Sequence, residues 1–593
     1  MPTSSSPRAR RGAELAAGLA ALAIAAGVMT WLSSTDRAQL LFRDGDSVLP
    51  VLVLRSLAAG QPQDWALSPV LFAPELALVA LFTLLGATPV VALWAAGTAQ
   101  FALLYGALRY VAGRARLAPW AALAGTALYA LLAAAGTSDE RRSLELAGLL
   151  GTTTYYSGAL LATIVVVGAA ARFLRDGDPR ALALAAITTA CGVLCNPLLG
   201  AWAVAPIAAA ALLLLLRGRD ARGHGQDERM LGRDERSPGP DERMRSRDGR
   251  SRGPDERTNG PDERMRAVDE HGSARLRPWH ATALLLGTLG GASVLGLALR
   301  LPLRGLFALD APSYARPGRW LEALQALLAL LEPTPAAFAA AALLLAAGAA
   351  CWVAARAGLR RRDPGLALLG LVGLLGPPLV LLGSIALGTE SPRYLQPIAF
   401  LPLLGVAALA SVLQRAPAKA APASLLERSP AAAALPGGLE RATAAAPDVP
   451  QPQRRRSRIR SSLAPAVSLA AAAALLAVAL ATPPVLARAA ADPDVDCVTD
   501  WVERADAVGA GQFWTVRYPK SRLDDPARLV QVTHELQPYA WLVNRADFDV
   551  AAVEFLLLDA QSPAFELPAG TGTTPIGCGR YTILQLAEPL ALR

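Results

Sequence analysis

The chain has 593 residues, 53% of them hydrophobic and only 18% charged, with a net charge of +9 that comes almost wholly from arginine. Soluble domains carry about 25% charged residues, so this balance excludes a purely soluble protein. The arginines sit beside apolar runs and not on one polar face, which points to membrane topology and argues against nucleic acid as a partner.

Residues 1–12 are polar and basic (Arg8, Arg10, Arg11) and form a cytoplasmic N-terminus. An apolar run, Ala13–Leu32, follows. It has the look of a signal peptide, but further spans come after it, so it is expected to remain as the first membrane helix, with its N-terminus inside. The first part of the membrane bundle is expected over residues 13–216, with an external loop at 34–74. That loop opens on Arg43-Asp44-Gly45-Asp46-Ser47 and continues into Ser47–Leu57, which is predicted to lie along the membrane surface. Acids at the mouth of a membrane bundle are costly unless they face water, a substrate or a cation.

Leu76–Leu85 is apolar but too short for a span. Read as a re-entrant or surface helix, it leaves Arg109, Arg114 and Arg116 inside, as the positive-inside rule asks. Spans are predicted at Pro89–Leu108, Ala118–Ala135, Thr153–Phe173, Ala181–Leu194 and Leu198–Leu216, the last two separated at Asn196-Pro197, where proline stops the helix. A second external loop carries Asp139, Glu140, Arg141, Arg142 and Glu145.

Residues 217–278 repeat Asp-Glu-Arg at a seven-residue step, with Gly and Pro between and no apolar a and d positions. Such a segment cannot build a coiled coil and reads as a disordered cytoplasmic insert. The second part of the bundle, 279–414, has spans at Trp279–Leu299, Pro335–Ala355, Leu366–Leu387 and Leu395–Leu413, with a surface helix at Trp320–Leu331. Residues 415–462 read as a disordered cytoplasmic linker and 463–486 as the last span.

Eleven spans put residues 487–593 outside as a small α/β domain, with strand-like stretches at Leu529–Val532, Ala551–Leu558 and Tyr581–Leu586. Cys497 and Cys578 fall in this polar region, where an oxidising compartment favours a disulfide. Cys191, Cys195 and Cys351 lie in apolar runs and read as core residues. Cys191 and Cys195 share a helix, but no further ligand type accompanies them, so no metal site is expected there. The expected fold is mainly α: a polytopic membrane helix bundle with a small C-terminal extracytoplasmic α/β domain.

The external loops bring acids (Asp44, Asp46, Asp139, Glu140, Glu145, Glu390) and arginines (Arg43, Arg141, Arg142, Arg304, Arg316, Arg393) to one side. A carboxylate can act as a general base on an acceptor hydroxyl. Arginines can clamp a phosphate bidentately. Together these groups suit transfer of a group from a lipid phosphate.

The layout resembles the GT-C superfamily of integral-membrane glycosyltransferases, which includes dolichyl-phosphate-mannose and aminoarabinose transferases. In that family a first span leads to a large external loop with one or two acids. Surface helices and a multi-span bundle follow, often with an external C-terminal domain. Asp44 and Asp46 match the acidic motif by position and type. Asp139 and Glu140 sit where a second acidic motif is often found. Ser391-Pro392-Arg393-Tyr394-Leu395-Gln396-Pro397 is similar to the family's Arg-Tyr-x-x-Pro stretch. The first loop departs in wording: it reads Asp44-Gly45-Asp46 and Leu67-Ser68-Pro69 where the family commonly has Asp-Glu-aromatic and His-Pro-Pro.

The resemblance implies a polyprenyl-phosphate-linked sugar as donor, an envelope glycan or protein as acceptor, and the bacterial cytoplasmic membrane as location. It makes Asp44 and Asp46 catalytic, optionally with a divalent cation between them. Asp139, Glu140, Arg141, Arg142, Arg393 and Tyr394 would bind substrate. A second reading is a non-catalytic relative whose external domain binds envelope glycan or protein. A third, a transporter, would show inverted repeats and mid-span charges, and neither is seen.

Overall fold

The computed structural model describes residues 7–136, 146–217, 278–308, 316–331, 333–414 and 453–592. Among the described residues, ten helices are long and apolar enough to cross a membrane, which identifies a multi-pass membrane protein: α1 (Pro7–Ser33), α4 (Pro89–Ala112), α5 (Ala118–Ala135), α6 (Ser157–Asp176), α8 (Gly200–Arg217), α9 (Trp279–Ala298), α11 (Pro335–Arg361), α12 (Pro364–Ala386), α13 (Pro392–Gln414) and the apolar part, Ala464–Ala490, of α14 (Gln453–Ala490). Shorter helices lie among them: α2 (Leu49–Ala58), α3 (Ala73–Leu84), α7 (Pro179–Cys195) and α10 (Trp320–Ala329). α3 has 12 residues. At ~1.5 Å per residue it reaches about 18 Å, short of a ~30 Å hydrocarbon core.

The helices start where the sequence allows. Proline opens α4, α7, α11 and α12, at a position whose N–H has no helical partner anyway. Asp178, Thr334 and Asp363 cap three of these starts by accepting from Arg180 N, Ala337 N and Leu366 N. α14 begins at Gln453, so residues 453–462, expected within a disordered linker, are helical. Arginine is a good helix former, and the long apolar helix propagates backward through the arginine-rich stretch. The repeat insert 218–277 and the linker residues 415–452 lie outside the described residues.

Two faces of the bundle follow from contacts between helix ends. On one, Arg109 pairs with Glu14 at 2.5 Å, Arg116 N donates to Gln414 Oε1 at 2.7 Å, and Arg175 pairs with Asp363 at 3.7 Å. This basic face gathers the ends of α1, α4, α6, α12 and α13. On the other, Leu71 N donates to Cys195 O at 2.9 Å and Arg300 to Leu194 O at 2.6 Å. This loop face gathers the first loop and the ends of α7 and α9. α1 and α14 run side by side, joined by Thr30 and Thr482 at 2.8 Å. α1 ends at the loop face and α4 starts there, with the short α3 between them.

The C-terminal region sits on the loop face. Its helices are α15 (Pro493–Ala505) and α16 (Phe513–Arg522). Among the described residues, seven strands form two sheets: β1 (Trp65–Ala66), β2 (Gly509–Gly511), β3 (Leu529–Gln531), β4 (Val543–Asn544), β5 (Val553–Asp559), β6 (Thr573–Cys578) and β7 (Tyr581–Leu590). The larger has the order β3-β2-β5-β7-β6, parallel around β2 and antiparallel around β7. Phe555 on β5 packs edge-to-face on Trp501 of α15 at 4.9 Å, and a Cβ at Gly509 would collide with the Phe555 ring. Cys497 on α15 and Cys578 on β6 are joined in a disulfide.

The smaller sheet stitches this region to the first loop. β1 pairs antiparallel with β4, with Trp65 opposite Asn544 and Ala66 opposite Val543. Arg545 pairs with Asp64 at 2.9 Å, and Arg55 donates to Leu523 O at 2.6 Å. The loop and the C-terminal region are thus one packed unit, although more than 400 residues separate them.

Candidate functional site

After α1 the chain makes a π-turn, Gln39–Arg43, closed by Asp44 N donating to Gln39 O at 2.8 Å. The Asp44 carboxylate then accepts from the N–H groups of Asp46 (3.1 Å) and Ser47 (3.4 Å). Such a side chain-to-backbone turn is what aspartate favours, and here it leads the chain into α2. Thr153 fastens the turn from the far side, donating to Ser47 O at 2.8 Å. The Asp44-Gly45-Asp46 loop is therefore rigidly built.

Three distant segments meet it. Tyr155, just before α6, donates its hydroxyl to Asp44 Oδ1 at 3.3 Å. Arg393, in the first turn of α13, pairs with Asp46 Oδ2 at 3.5 Å. Gln396 ties these two segments together by donating to Tyr155 O (2.8 Å) and Arg393 O (3.1 Å). From the C-terminal region comes Arg517, 1% exposed, whose Nε donates to Gly45 O at 2.5 Å and whose Nη1 donates to Leu542 O.

Two positive and two negative groups are thus packed together with little water. Burial, reinforced by the charge of Asp46, pushes the Asp44 carboxyl up to about 6; its three hydrogen bonds oppose the rise. Burial raises Asp46 as well, and Arg393 and then Arg517 hold it back. Burial pulls Arg517 down to about 10, against the pull of Asp46 and Asp44. Tyr155 is driven above the ordinary phenol range by burial and by the two carboxylates.

Several polar atoms at this place are buried without a hydrogen-bond partner: Ser47 Oγ, Arg393 Nε, Gln396 Oε1 and Arg517 Nη2. Buried polar groups are nearly always satisfied, so a cluster of exceptions sets this place apart. A divalent cation between Asp44 and Asp46 does not fit, because two guanidinium groups already stand against the pair. Among the described residues, the one trio of close metal-capable side chains is His534 and Glu535, after β3, with Glu566, after β5.

Aromatic rings frame the loop. Tyr156 stacks on Tyr394 at 6.0 Å, and the Arg393 guanidinium stands 5.8 Å from both the Tyr394 and Tyr155 rings. On the C-terminal side, a Cβ at Gly45 would stand 3.1 Å from Phe513, 3.2 Å from Trp514 and 3.3 Å from Arg517. Phe513 is buried, whereas Trp514 is 55% and Tyr539 38% exposed.

Of the residues singled out by sequence, the structure brings together Asp44, Asp46, Arg393 and Tyr394. Asp139, Glu140, Arg141, Arg142 and Glu145 lie outside the described residues. Two other loop charges are engaged elsewhere: Arg43 with Asp492 at 3.2 Å, and Glu390 with Arg319 at 3.8 Å. Sequence reasoning missed Tyr155 and Arg517. The Tyr155-Tyr156 pair at the head of an apolar run was the available signal for the first, while nothing local distinguishes Arg517 from other arginines.

No protein-family model matches the chain, and no curated protein matches it.

Proposed function

We propose that the chain is a membrane glycosyltransferase of GT-C-like layout that moves a sugar from a polyprenyl-phosphate donor to an acceptor at the outer face of the cytoplasmic membrane. α7 has 17 residues and runs from the end of α6 on the basic face to Cys195 on the loop face. Counting it gives eleven crossings. The positive-inside rule puts the basic face, with Arg109, Arg175 and Arg361, in the cytoplasm. The loop face and the C-terminal region are then outside.

The observation that carries this reading is Asp44 beside the Asp46–Arg393 ion pair, with buried guanidinium N–H groups of Arg393 and Arg517 left unpartnered. A carboxyl whose proton affinity is raised to about 6 is well matched to take a proton near neutral pH. Asp44 removes the acceptor hydroxyl proton as the acceptor oxygen attacks the anomeric carbon. The bond from that carbon to the phosphate oxygen breaks, and the lipid phosphate leaves with the negative charge. Arg393 and Arg517 offset that charge in a site where little water screens it. One attack from the face opposite the leaving group gives inversion.

The donor's long chain requires an apolar channel. A groove of about 780 Å³ between α1, α4 and α14 supplies one, lined among others by Trp94, Val478, Leu486 and Ala490. It ends beside Arg43, which donates to Ala489 O and Ala491 O and directly precedes Asp44.

The test is transfer from a polyprenyl-phosphate sugar by purified protein carrying Asp44→Asn and Asp46→Asn together. Undiminished transfer would remove this mechanism. A second reading, a non-catalytic protein that binds envelope glycan, is favoured by exposed Trp514 and Tyr539. Under that reading, Trp514→Ala abolishes glycan binding and Asp44→Asn leaves it intact.

A further inference from the structure

Apart from the acid–arginine site, α3, α6 and α7 enclose a cavity of about 290 Å³ near the loop face. Its wall is mostly apolar and includes Phe72, Tyr156, Cys191 and Cys195. The polar side chains of that wall include Glu75 and Asn196, each 3% exposed, beside Thr188. Glu75 belongs to the first turn of α3, and its Oε1 accepts from Ser157 Oγ at 2.8 Å and Gly158 N at 2.7 Å, at the start of α6. A carboxylate offers about four acceptor sites, so two bonds leave capacity. Asn196 Oδ1 accepts from Leu198 N at 3.0 Å, but Asn196 Nδ2 is buried with no partner. A buried amide donor left unsatisfied is costly, and the Asn196 side chain is part of the cavity wall.

The two residues that enter the helices at this cavity, Phe72 and Tyr156, both have left-handed backbones, with φ of 50° and 70°. Bulky residues hold such conformations only where the surroundings over-determine them, often at ligand clamps.

The donor and acceptor pattern selects the ligand. An anion is repelled by Glu75. An ammonium group satisfies Glu75 but gives Asn196 Nδ2 nothing to donate to. A hydroxyl does both, since it donates one bond and accepts others. The rest of the wall, including Val70 and Ile187, takes an apolar body. We propose that this cavity binds the hydroxyl end of an amphiphilic lipid, the hydroxyl donating to Glu75 and accepting from Asn196 Nδ2. The site is separate from the transferase reading and stands or falls without it. The two share a wall, since Tyr156 also stacks on Tyr394 beside Arg393.

Cys195 lines the cavity, which gives a readout independent of activity. The full chain in detergent is alkylated with N-ethylmaleimide, and modification of Cys195 is followed by peptide mass spectrometry. Buried Cys351 serves as the internal control for unfolding. The probes are 1-decanol and decyl methyl ether, which cannot donate a hydrogen bond. The alcohol is expected to slow Cys195 alkylation at concentrations about tenfold lower than the ether needs, the scale of one net hydrogen bond. Glu75→Ala should reduce that preference, and Asn196→Ala should raise the concentration that both probes need, with Cys351 still protected. Equal protection by alcohol and ether, or none by either, overturns the proposal with wild-type protein alone. Full alcohol preference in Glu75→Ala overturns it as well.

Discussion

Asp46 and Arg393 lie 347 positions apart in the chain, yet their side chains pair at 3.5 Å. The contact joins the loop after the first helix to the head of α13, and Gln396 extends it to Tyr155. Burying an ion pair is costly unless further bonds complete it. Here the completion is partial, because Arg393 Nε has no partner. A site organised for stability alone would close that gap, whereas a site that receives an anion leaves it open.

Under the transferase proposal, the proton affinity of Asp44 sets the acid limb of activity. A base must be deprotonated to act, so transfer should fall as pH drops through about 6, well above the ordinary aspartate value of 3.8. Asp46→Asn removes the neighbouring negative charge that helps raise Asp44, so the midpoint should move to lower pH. Asp44→Asn should cost about 10²–10⁴-fold in kcat, the usual worth of a general base. Rate–pH profiles of the three proteins check both the direction and the size.

Arg393 should show its role through the donor. Arg393→Gln leaves Asp46 buried without its nearest cation and removes a donor to the leaving phosphate. A loss of about 10²–10³-fold in kcat/KM is expected, comparable with deleting one donor to a developing oxyanion. Arg393→Lys retains the charge without the planar fork and should recover only part of it. Steady-state kinetics at varied donor concentration measure this. Equal rates for all three proteins would remove Arg393 from the site.

Much of the bundle was legible in the chain because lipid imposes a simple rule: long apolar runs become helices, and proline with a preceding Asp or Thr marks their starts. Leu76–Leu85 reads as too short for a span, and the α3 helix there has 12 residues. The acid loop and Arg393 were legible as chemistry because charges at span ends are few. Their partners were not. Arg517 reaches Gly45 only because β1 and β4 pair across more than 400 residues, and two-residue strands leave no periodic trace. The buried Glu75 was hidden for a related reason. It reads as a charge at a helix start, and only the approach of α6 turns it into a cavity wall.

Gly45 is the point where the loop passes under α16. A Cβ there would stand 3.1–3.3 Å from Phe513, Trp514 and Arg517. Gly45→Ala should push α16 away and loosen the Arg517 bond to Gly45 O. Overpacking of this kind costs about 1–3 kcal/mol, and the larger effect should be on activity because Arg517 moves with the helix. Thermal melts in detergent beside transfer assays separate the two effects. A change in melting without a change in rate would show that Arg517 is only structural.

The position of Arg517 depends in turn on Lys520, one turn further along α16. Lys520 Nζ donates to Leu529 O at 2.8 Å and pairs with Asp547 at 2.5 Å, with both side chains buried. Burial pulls the ammonium down and pushes the carboxyl up, so each ion is unfavourable without the other. Lys520→Met should therefore destabilise the C-terminal region by about 3–5 kcal/mol, because it strands a buried carboxylate. Lys520→Met with Asp547→Leu removes both charges and should recover most of that loss, since an apolar pair of similar volume often replaces a buried ion pair at little cost. The double-mutant cycle is measured by thermal unfolding in detergent. Transfer activity should follow the same order, lowest in the single mutant, because the α16 register that delivers Arg517 to Gly45 rests on this pair. If the single mutant melts like wild type, α16 is held by its apolar contacts and not by Lys520.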